Sequence, residues 1–365
     1  MKVLCVLGTR PEAIKLAPVI RELARRAECA SVRVCVTAQH REMLDQMLEG
    51  FEIRPDYDLD LMRDGQSLAG VSSAVLAALD PVIDGERPDW VLVQGDTTTA
   101  MVASLAAFYR RVRLGHVEAG LRTHDRQAPF PEEINRRIAD LVADRHFAPT
   151  ERARENLLRE GVVPASIVVT GNTVVDALRW TSGRPVPDSI DRLVDPSRRL
   201  VLVTAHRRES FGAPIEEICH AVRELSARYP GDLQIVYPVH RNPQIAGPVD
   251  RLLAGVPGVE LVAPVDYLAL VHLMKRAHVI LTDSGGIQEE APYLGVPVLV
   301  LRDATERPEA VECGAARLVG TTRARIVEET ARLLDDPAAR AAMAAPASPF
   351  GDGHAAERIV DALLA

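Results

Sequence analysis

Short apolar runs recur along this chain, each followed by a polar turn and then a stretch of helical spacing. Residues 3–7 read as a buried strand. Gly8-Thr9-Arg10-Pro11-Glu12 reads as a turn, and residues 13–26 as a helix with Ile14, Ala17, Ile20 and Leu23 on one face. Pro11 suits the first helical turn, where its missing N–H costs nothing. The pattern repeats at residues 32–37, 90–93 and 114–117, and Pro131 opens a further helix. Strands alternating with helices build a parallel sheet covered on both faces. The fold class is therefore α/β and doubly wound.

The periodicity breaks at Thr181-Ser182-Gly183-Arg184-Pro185-Val186-Pro187-Asp188, which reads as an interdomain linker. It then restarts, with strands expected at 200–204, 233–237, 259–262, 279–282 and 296–301. The expectation is two Rossmann-like domains, 1–180 and 188–350, facing across a cleft. Residues 351–365 form a terminal helix expected to pack back on the first domain. A chain of 365 residues is long enough for two such cores.

The chemically active residues fall at one topological position. Arg10, His40, Asp96, Glu118, His206, His240 and Ser284 each lie just past the C-terminal end of an expected strand. In open α/β sheets that edge binds ligands. Any one of these side chains alone reads as a solvated loop residue; their shared placement does not.

Thr282-Asp283-Ser284-Gly285-Gly286-Ile287-Gln288-Glu289-Glu290 reads as strand, Gly-rich turn and helix. Unpaired backbone N–H groups at such a turn attract an anion such as phosphate. Glu290 suits ribose hydroxyls better than phosphate. An ordinary βα turn with an acidic first helical turn is the alternative. Arg10, Lys15, His206, Arg207 and Arg208 could clamp a phosphate and stabilise it as a leaving group. Asp96, Glu118 and Glu132 could supply a general acid and a general base. Equally, Asp96 could merely cap a helix, and Glu132 could pair with Arg136 four residues on.

Composition narrows the partners. Lys plus Arg is 43 against 51 Asp plus Glu, a net charge of -8, which opposes general binding to nucleic acid or membrane surfaces. Aromatic residues are 4%, too few for a base-stacking platform. The five cysteines include no C-x-x-C pair, as expected of reduced thiols in the cytoplasm. No secretory leader and no apolar run of membrane-spanning length is read. The ten histidines show no zinc spacing, so no metal is expected. Gly351-Asp352-Gly353-His354-Ala355-Ala356 matches a dinucleotide fingerprint only formally. No strand precedes it, and the chain ends before a ribose-binding acid could follow.

Together these motifs resemble the non-hydrolysing UDP-N-acetylglucosamine 2-epimerases along nearly the whole chain. The matching stretches are Gly8 to Glu12, Gln94-Gly95-Asp96-Thr97-Thr98, His116 to Arg122, Pro131 to Arg136, Thr170-Gly171-Asn172-Thr173, His206 to Glu209, Asp283 to Glu290, and Arg302 to Glu309. The resemblance implies a two-domain GT-B-like fold, a homodimer, and interconversion of UDP-GlcNAc and UDP-ManNAc without metal or NAD. It implies that Asp96, Glu118, Glu132, His206 and Arg136 are catalytic. It also implies that Arg10, Ser284, Gly285, Gly286 and Glu290 bind UDP; Lys15 joins the substrate-binding set from its place in the basic group alone. Gln39, His40, Arg207 and His240 resemble positions where some relatives bind a second UDP-GlcNAc as activator. Three positions depart from the family pattern. His124 stands where relatives often carry Gly, Arg241 where Leu is frequent, and Gly65 where some activated relatives carry Arg. Two other reactions share the fold: hydrolysing 2-epimerases, which release ManNAc and UDP, and GT-B glycosyltransferases.

Overall fold

The computed structural model describes residues 1–37, 41–61, 63, 65–345 and 348–365. They form two compact units, Met1–Arg179 with Phe350–Ala365, and Trp180–Pro349.

The first unit carries a parallel sheet of seven strands: β1 Lys2–Leu7, β2 Ser31–Val36, β3 Tyr57–Asp58, β4 Trp90–Gln94, β5 Arg113–Val117, β6 Arg145–Ala148 and β7 Ile167–Val169. Their order is β3-β2-β1-β4-β5-β6-β7. Residues 3–7 are fully buried, which is why β1 is an unbroken apolar run. The direction of winding reverses between β1 and β4, and such a switch opens a crevice at the carboxyl ends of the strands.

The second unit repeats the plan with β8 Arg199–Thr204, β9 Leu233–Pro238, β10 Val259–Val262, β11 Val279–Thr282, β12 Val298–Val300 and β13 Ala316–Leu318. The order β10-β9-β8-β11-β12-β13 places its reversal between β8 and β11, with Thr204 level with Thr282. Val201, Val203, Ile235 and Leu281 pack against Ile215, Ile218, Val222 and Leu225 of the helix Ala213–Arg228. The doubly wound α/β class is thus present in both units. The strands β3, β6, β7 and β13 were not expected. The first is two residues long, and the sequence of β6, Arg-His-Phe-Ala, is too polar to read as a run.

Local signals set the helix starts. Thr9 caps the helix Arg10–Arg25, Thr97 caps Thr98–Tyr109, and Pro131 stands at the N-cap of Glu132–Val142. One expectation needs correction. The helix Leu68–Glu86 is long and apolar enough by composition to cross a membrane. Here it buries Val71, Val75, Leu79, Val82 and Ile83 in the first core. Its last turns carry Asp80 and Asp84, both paired with Arg110, and Glu86, which is tied to Lys2. Those charges have partners that only the folded α/β unit supplies.

The C-terminal segment returns to the first unit and ends in the helix Ala355–Leu364. Two glycines permit the return. Gly171 has φ +88°, and a Cβ there would meet Gly351 Cα at 3.2 Å. The Asn172 N–H donates to the Phe350 carbonyl at 2.7 Å. Asp176 then accepts from the N–H groups of Ala355 and Ala356, at 3.2 and 2.8 Å. Burial raises the Asp176 carboxyl to about 6, although those two N–H groups pull it down. A raised folded pKa means stability present below the ordinary carboxylate range and lost as pH rises through about 6. We expect this group to add about 1 kcal/mol of stability between pH 7 and pH 5. Asp176→Asn keeps an acceptor for the helix and should remove that slope. Urea denaturation of both chains at the two pH values measures it.

Candidate active site

The loop after β1 is organised around Glu12, which is buried. Its carboxylate accepts from Gly8 N at 3.0 Å, Thr9 Oγ1 at 2.7 Å and Thr97 Oγ1 at 2.7 Å. The third bond ties this loop to the loop after β4. Burial raises the Glu12 pKa against the pull of these donors. Arg10 lies half-buried on the first turn of the helix that Glu12 fixes.

The three candidate carboxylates sit in different settings. Glu118 follows β5 directly, is buried, and has φ +68°, a conformation costly for a side-chain-bearing residue. Lys15 Nζ lies 2.5 Å from its Oε1, Asn172 Nδ2 donates to the same oxygen at 3.2 Å, and Gln94 Nε2 donates to Oε2. Asp96 follows β4; its carboxylate pairs with Arg136, and its carbonyl accepts from Asn135 Nδ2 at 2.9 Å. Glu132 opens the helix that carries Asn135 and Arg136. Among the described residues its buried Oε2 has no hydrogen-bond partner. The i,i+4 pair of Glu132 with Arg136 offered by the sequence is not formed. Arg136 reaches Asp96 instead, with Glu133 at 3.6 Å. Glu133 also accepts from the N–H groups of Thr123 and His124, at 3.1 and 3.2 Å, anchoring the loop before the helix. His124 has φ +63°, a backbone conformation that glycine adopts more readily than a side-chain-bearing residue.

In the second unit the loops after β8 and β11 are joined by Asp283, which is fully buried. Its Oδ2 accepts from His206 N and Arg207 N, each at 2.8 Å, and from Ser210 Oγ at 2.9 Å. His206 Nδ1 stands 3.4 Å from Asp283 Oδ1. That contact turns Nε2 of the exposed ring away from the carboxylate. The ring stacks on His240, with centroids 5.7 Å apart. Asn242 N donates to His240 Nδ1 at 3.1 Å.

Ser284 is the N-cap position of the helix Gly285–Glu290, and its N–H is turned inward to Thr282 Oγ1 at 2.9 Å. A Cβ on Gly285 would lie 3.5 Å from Arg207 Nη2, so the guanidinium rests against this turn. Tyr267 donates to the buried Glu290 at 3.1 Å. Gln288 and Glu289 face inward, to Thr305 and Arg307. Arg207 also pairs with Glu306 at 3.4 Å. Burial would raise the Glu306 carboxyl, but Arg302 and Arg207 hold it down at about 2.

The structure therefore brings Lys15 to Glu118, Arg136 to Asp96, His206 to His240, and Arg207 to Gly285. Gln39 and His40 lie outside the described residues. Sequence reading missed Glu12, Gln94, Asn172 and Asp283 as site-building residues. Each sits inside a motif that was recognised, but its partner lies far along the chain. Among the described residues no group of three or more His, Cys, Asp or Glu side chains is placed to hold a metal ion.

The family model for UDP-N-acetylglucosamine 2-epimerase matches residues 21–364. The chain is 54% identical over 371 residues to the UDP-N-acetylglucosamine 2-epimerase of Yersinia pestis, spanning 100% of this chain and 98% of that one. It is 54% identical over 373 residues to the Escherichia coli K12 protein of the same name, again spanning 100% and 98%. The crystal structure of UDP-GlcNAc 2-epimerase from Neisseria meningitidis bound to UDP-GlcNAc matches with a TM-score of 0.91 and 47% identity, over 100% of both chains. The chain belongs to the UDP-N-acetylglucosamine 2-epimerase family.

Proposed function

We propose that this chain interconverts UDP-GlcNAc and UDP-ManNAc by breaking and remaking the bond between sugar C1 and UDP. The observation that carries the reading is the trio Asp96, Glu118 and Glu132, assembled by adjoining loops at one sheet edge. One is paired with an arginine, one is held by three donors, and one keeps a buried oxygen without a hydrogen-bond partner among the described residues.

The chemistry needs such a set. The C2 proton is not adjacent to a carbonyl, so direct removal is very difficult. When the C1–O bond breaks, its electron pair leaves with UDP and positive charge develops at C1, which acidifies the proton on C2. A carboxylate takes that proton, and the C2–H electrons form the double bond of 2-acetamidoglucal. Return of a proton to the opposite face of C2, with attack of UDP oxygen on C1, gives the epimer. Ser284, Gly285, Gly286, Arg10 and His206 would hold the diphosphate as it leaves, and Glu290 the ribose. Arg136 orients the Asp96 carboxylate, and Lys15 orients that of Glu118. Gln39, His40, Arg207 and His240 are proposed as contacts for a second UDP-GlcNAc.

Incubation with UDP-GlcNAc in deuterated water, followed by NMR, tests the function. UDP-ManNAc carrying deuterium at C2 is the expected product. Free ManNAc with UDP would identify a hydrolysing enzyme. Unchanged UDP-GlcNAc would defeat both.

We also propose a homodimer. Phe108, Tyr109 and Leu141 are 58%, 64% and 82% exposed at the ends of two helices that pack side by side, Thr98–Tyr109 and Glu132–Val142. Large apolar side chains left exposed on neighbouring helices are a common mark of a surface that a partner covers. Phe108→Glu with Leu141→Glu should convert a dimer to a monomer in sedimentation equilibrium. A monomeric unsubstituted chain at micromolar concentration would remove the proposal.

A further inference from the structure

His116 and Asp140 take no part in the steps above, yet they are buried directly beneath them. His116 lies on β5, two residues before Glu118, and is fully buried. Its Nδ1 is 2.6 Å from Asp140 Oδ1, and its Nε2 is 2.7 Å from the Gly95 carbonyl oxygen. A carbonyl can only accept. The other Asp140 oxygen accepts from Gly120 N at 3.2 Å and from Arg122 Nη2 at 2.7 Å, as a carboxylate does. A neutral imidazole has one N–H. Either neutral tautomer would set a nitrogen lone pair against an oxygen in a site closed to water, which is costly.

We infer that His116 is held as an imidazolium and is a positioning residue, fixing through Gly95 and Asp140 the two loops that bear Asp96 and Glu118. The link to Asp96 is short, because Gly95 precedes it and has φ +70°. The link to Glu118 runs along the strand and through Gly120, which Asp140 holds. Glu118 itself has φ +68°, a left-handed geometry that a side-chain-bearing residue keeps only when neighbouring contacts impose it.

The charged groups around the ring come from every element packed on it. Asp140 faces it from the helix Glu132–Val142. Arg122, itself bound to Glu160 at 2.9 Å, approaches Asp140 from the loop after β5. His146 on β6 is level with His116 and turns Nε2 to the Asp140 carbonyl at 2.8 Å. Glu118 lies just past the end of the same strand. Burial presses the His116 pKa down and Arg122 opposes the charge, but the Asp140 carboxylate and the two hydrogen bonds prevail, and the net shift is upward. Asp140 correspondingly lies below the usual carboxylate range. The stabilisation from His116 is thus complete below the ordinary histidine pKa and fades as pH rises through the raised value.

The positioning role rests on Asp96 and Glu118 being catalytic; the charge state does not. Two measurements separate these. In protein labelled with 15N-histidine, both His116 ring nitrogens should carry protons at pH 7.5, when an ordinary histidine is mostly neutral. The signals are identified by their loss in His116→Gln or, if that variant does not fold, by their shift in Asp140→Asn. In folded His116→Gln, kcat should fall by roughly 10²-fold with KM little changed, the usual cost of a misplaced catalytic group. The alkaline limb of the kcat profile should move as well. A neutral His116 at pH 7.5, or a variant with unsubstituted kcat and pH profile, would overturn the inference. An unsubstituted chain inert toward UDP-GlcNAc sinks the functional reading instead, and the NMR result then decides the charge state alone.

Discussion

Asp96→Asn should lower turnover of UDP-GlcNAc by roughly two to four orders of magnitude, the range spanned by positioned acid–base groups. KM should move much less, because Asp96 is assigned to the proton or charge that changes in the transition state and not to UDP. The substitution preserves shape. Asn135 holds the Asp96 main-chain carbonyl, which the change leaves in place. Arg136 loses a carboxylate but keeps Glu133 at 3.6 Å, so no guanidinium is stranded without a counter-charge. The thermal midpoint should therefore stay within a few degrees of the unsubstituted chain. Steady-state kinetics beside a thermal scan measures both. Near-normal kcat would remove Asp96 from the mechanism.

The largest effect on stability is expected at Gly120, two residues past Glu118. Its φ is +86°, and a Cβ there would lie 2.3 Å from the Ala153 carbonyl oxygen and 2.9 Å from Leu157 Cγ. The nearest atom is backbone in the first turn of the helix Glu151–Arg159, so it cannot rotate aside. The loop cannot retreat either. Gly120 N is bound to Asp140, and Asn156 Nδ2 donates to the Gly120 carbonyl at 3.0 Å. Left-handed backbone costs an alanine about 1–2 kcal/mol, and forced overlap in a packed site adds about 1–3 kcal/mol. Gly120→Ala should thus lose roughly 2–5 kcal/mol in urea denaturation. A loss under about 1 kcal/mol would show that the loop is less constrained than its contacts imply.

These two positions mark what the sequence discloses and what it withholds. The strand ends were legible because a buried strand is an apolar run that stops, and Asp96, Glu118, His206 and Ser284 follow such stops. Residues 259–262 and 279–282 form strands with the bounds read from sequence. The flanking strands were not legible. In β6 the buried His146 is satisfied by the Asp140 carbonyl, a partner that the local pattern does not reveal.

The same limit applies within the site. Local spacing offered Glu132 to Arg136, an interaction of only a few tenths of a kcal/mol (~0.2–0.5). The tertiary contact with Asp96 prevails. Gln94, Asn172 and Lys15 converge on Glu118 from three distant segments, and only the sheet order brings them there. Asp283 opens the Gly-rich stretch, yet its work is inward, tying the His206 loop to β11. Of the turn that follows, Gly286 is exposed, Ser284 half-buried and Gly285 buried.

The central claim is that UDP departs from C1 and returns. It is tested most directly by supplying the separated halves, 2-acetamidoglucal and UDP, in deuterated water. The expected result is UDP-GlcNAc and UDP-ManNAc, each with deuterium at C2. If the same preparation epimerises UDP-GlcNAc but never joins the two halves, the elimination and re-addition route is contradicted.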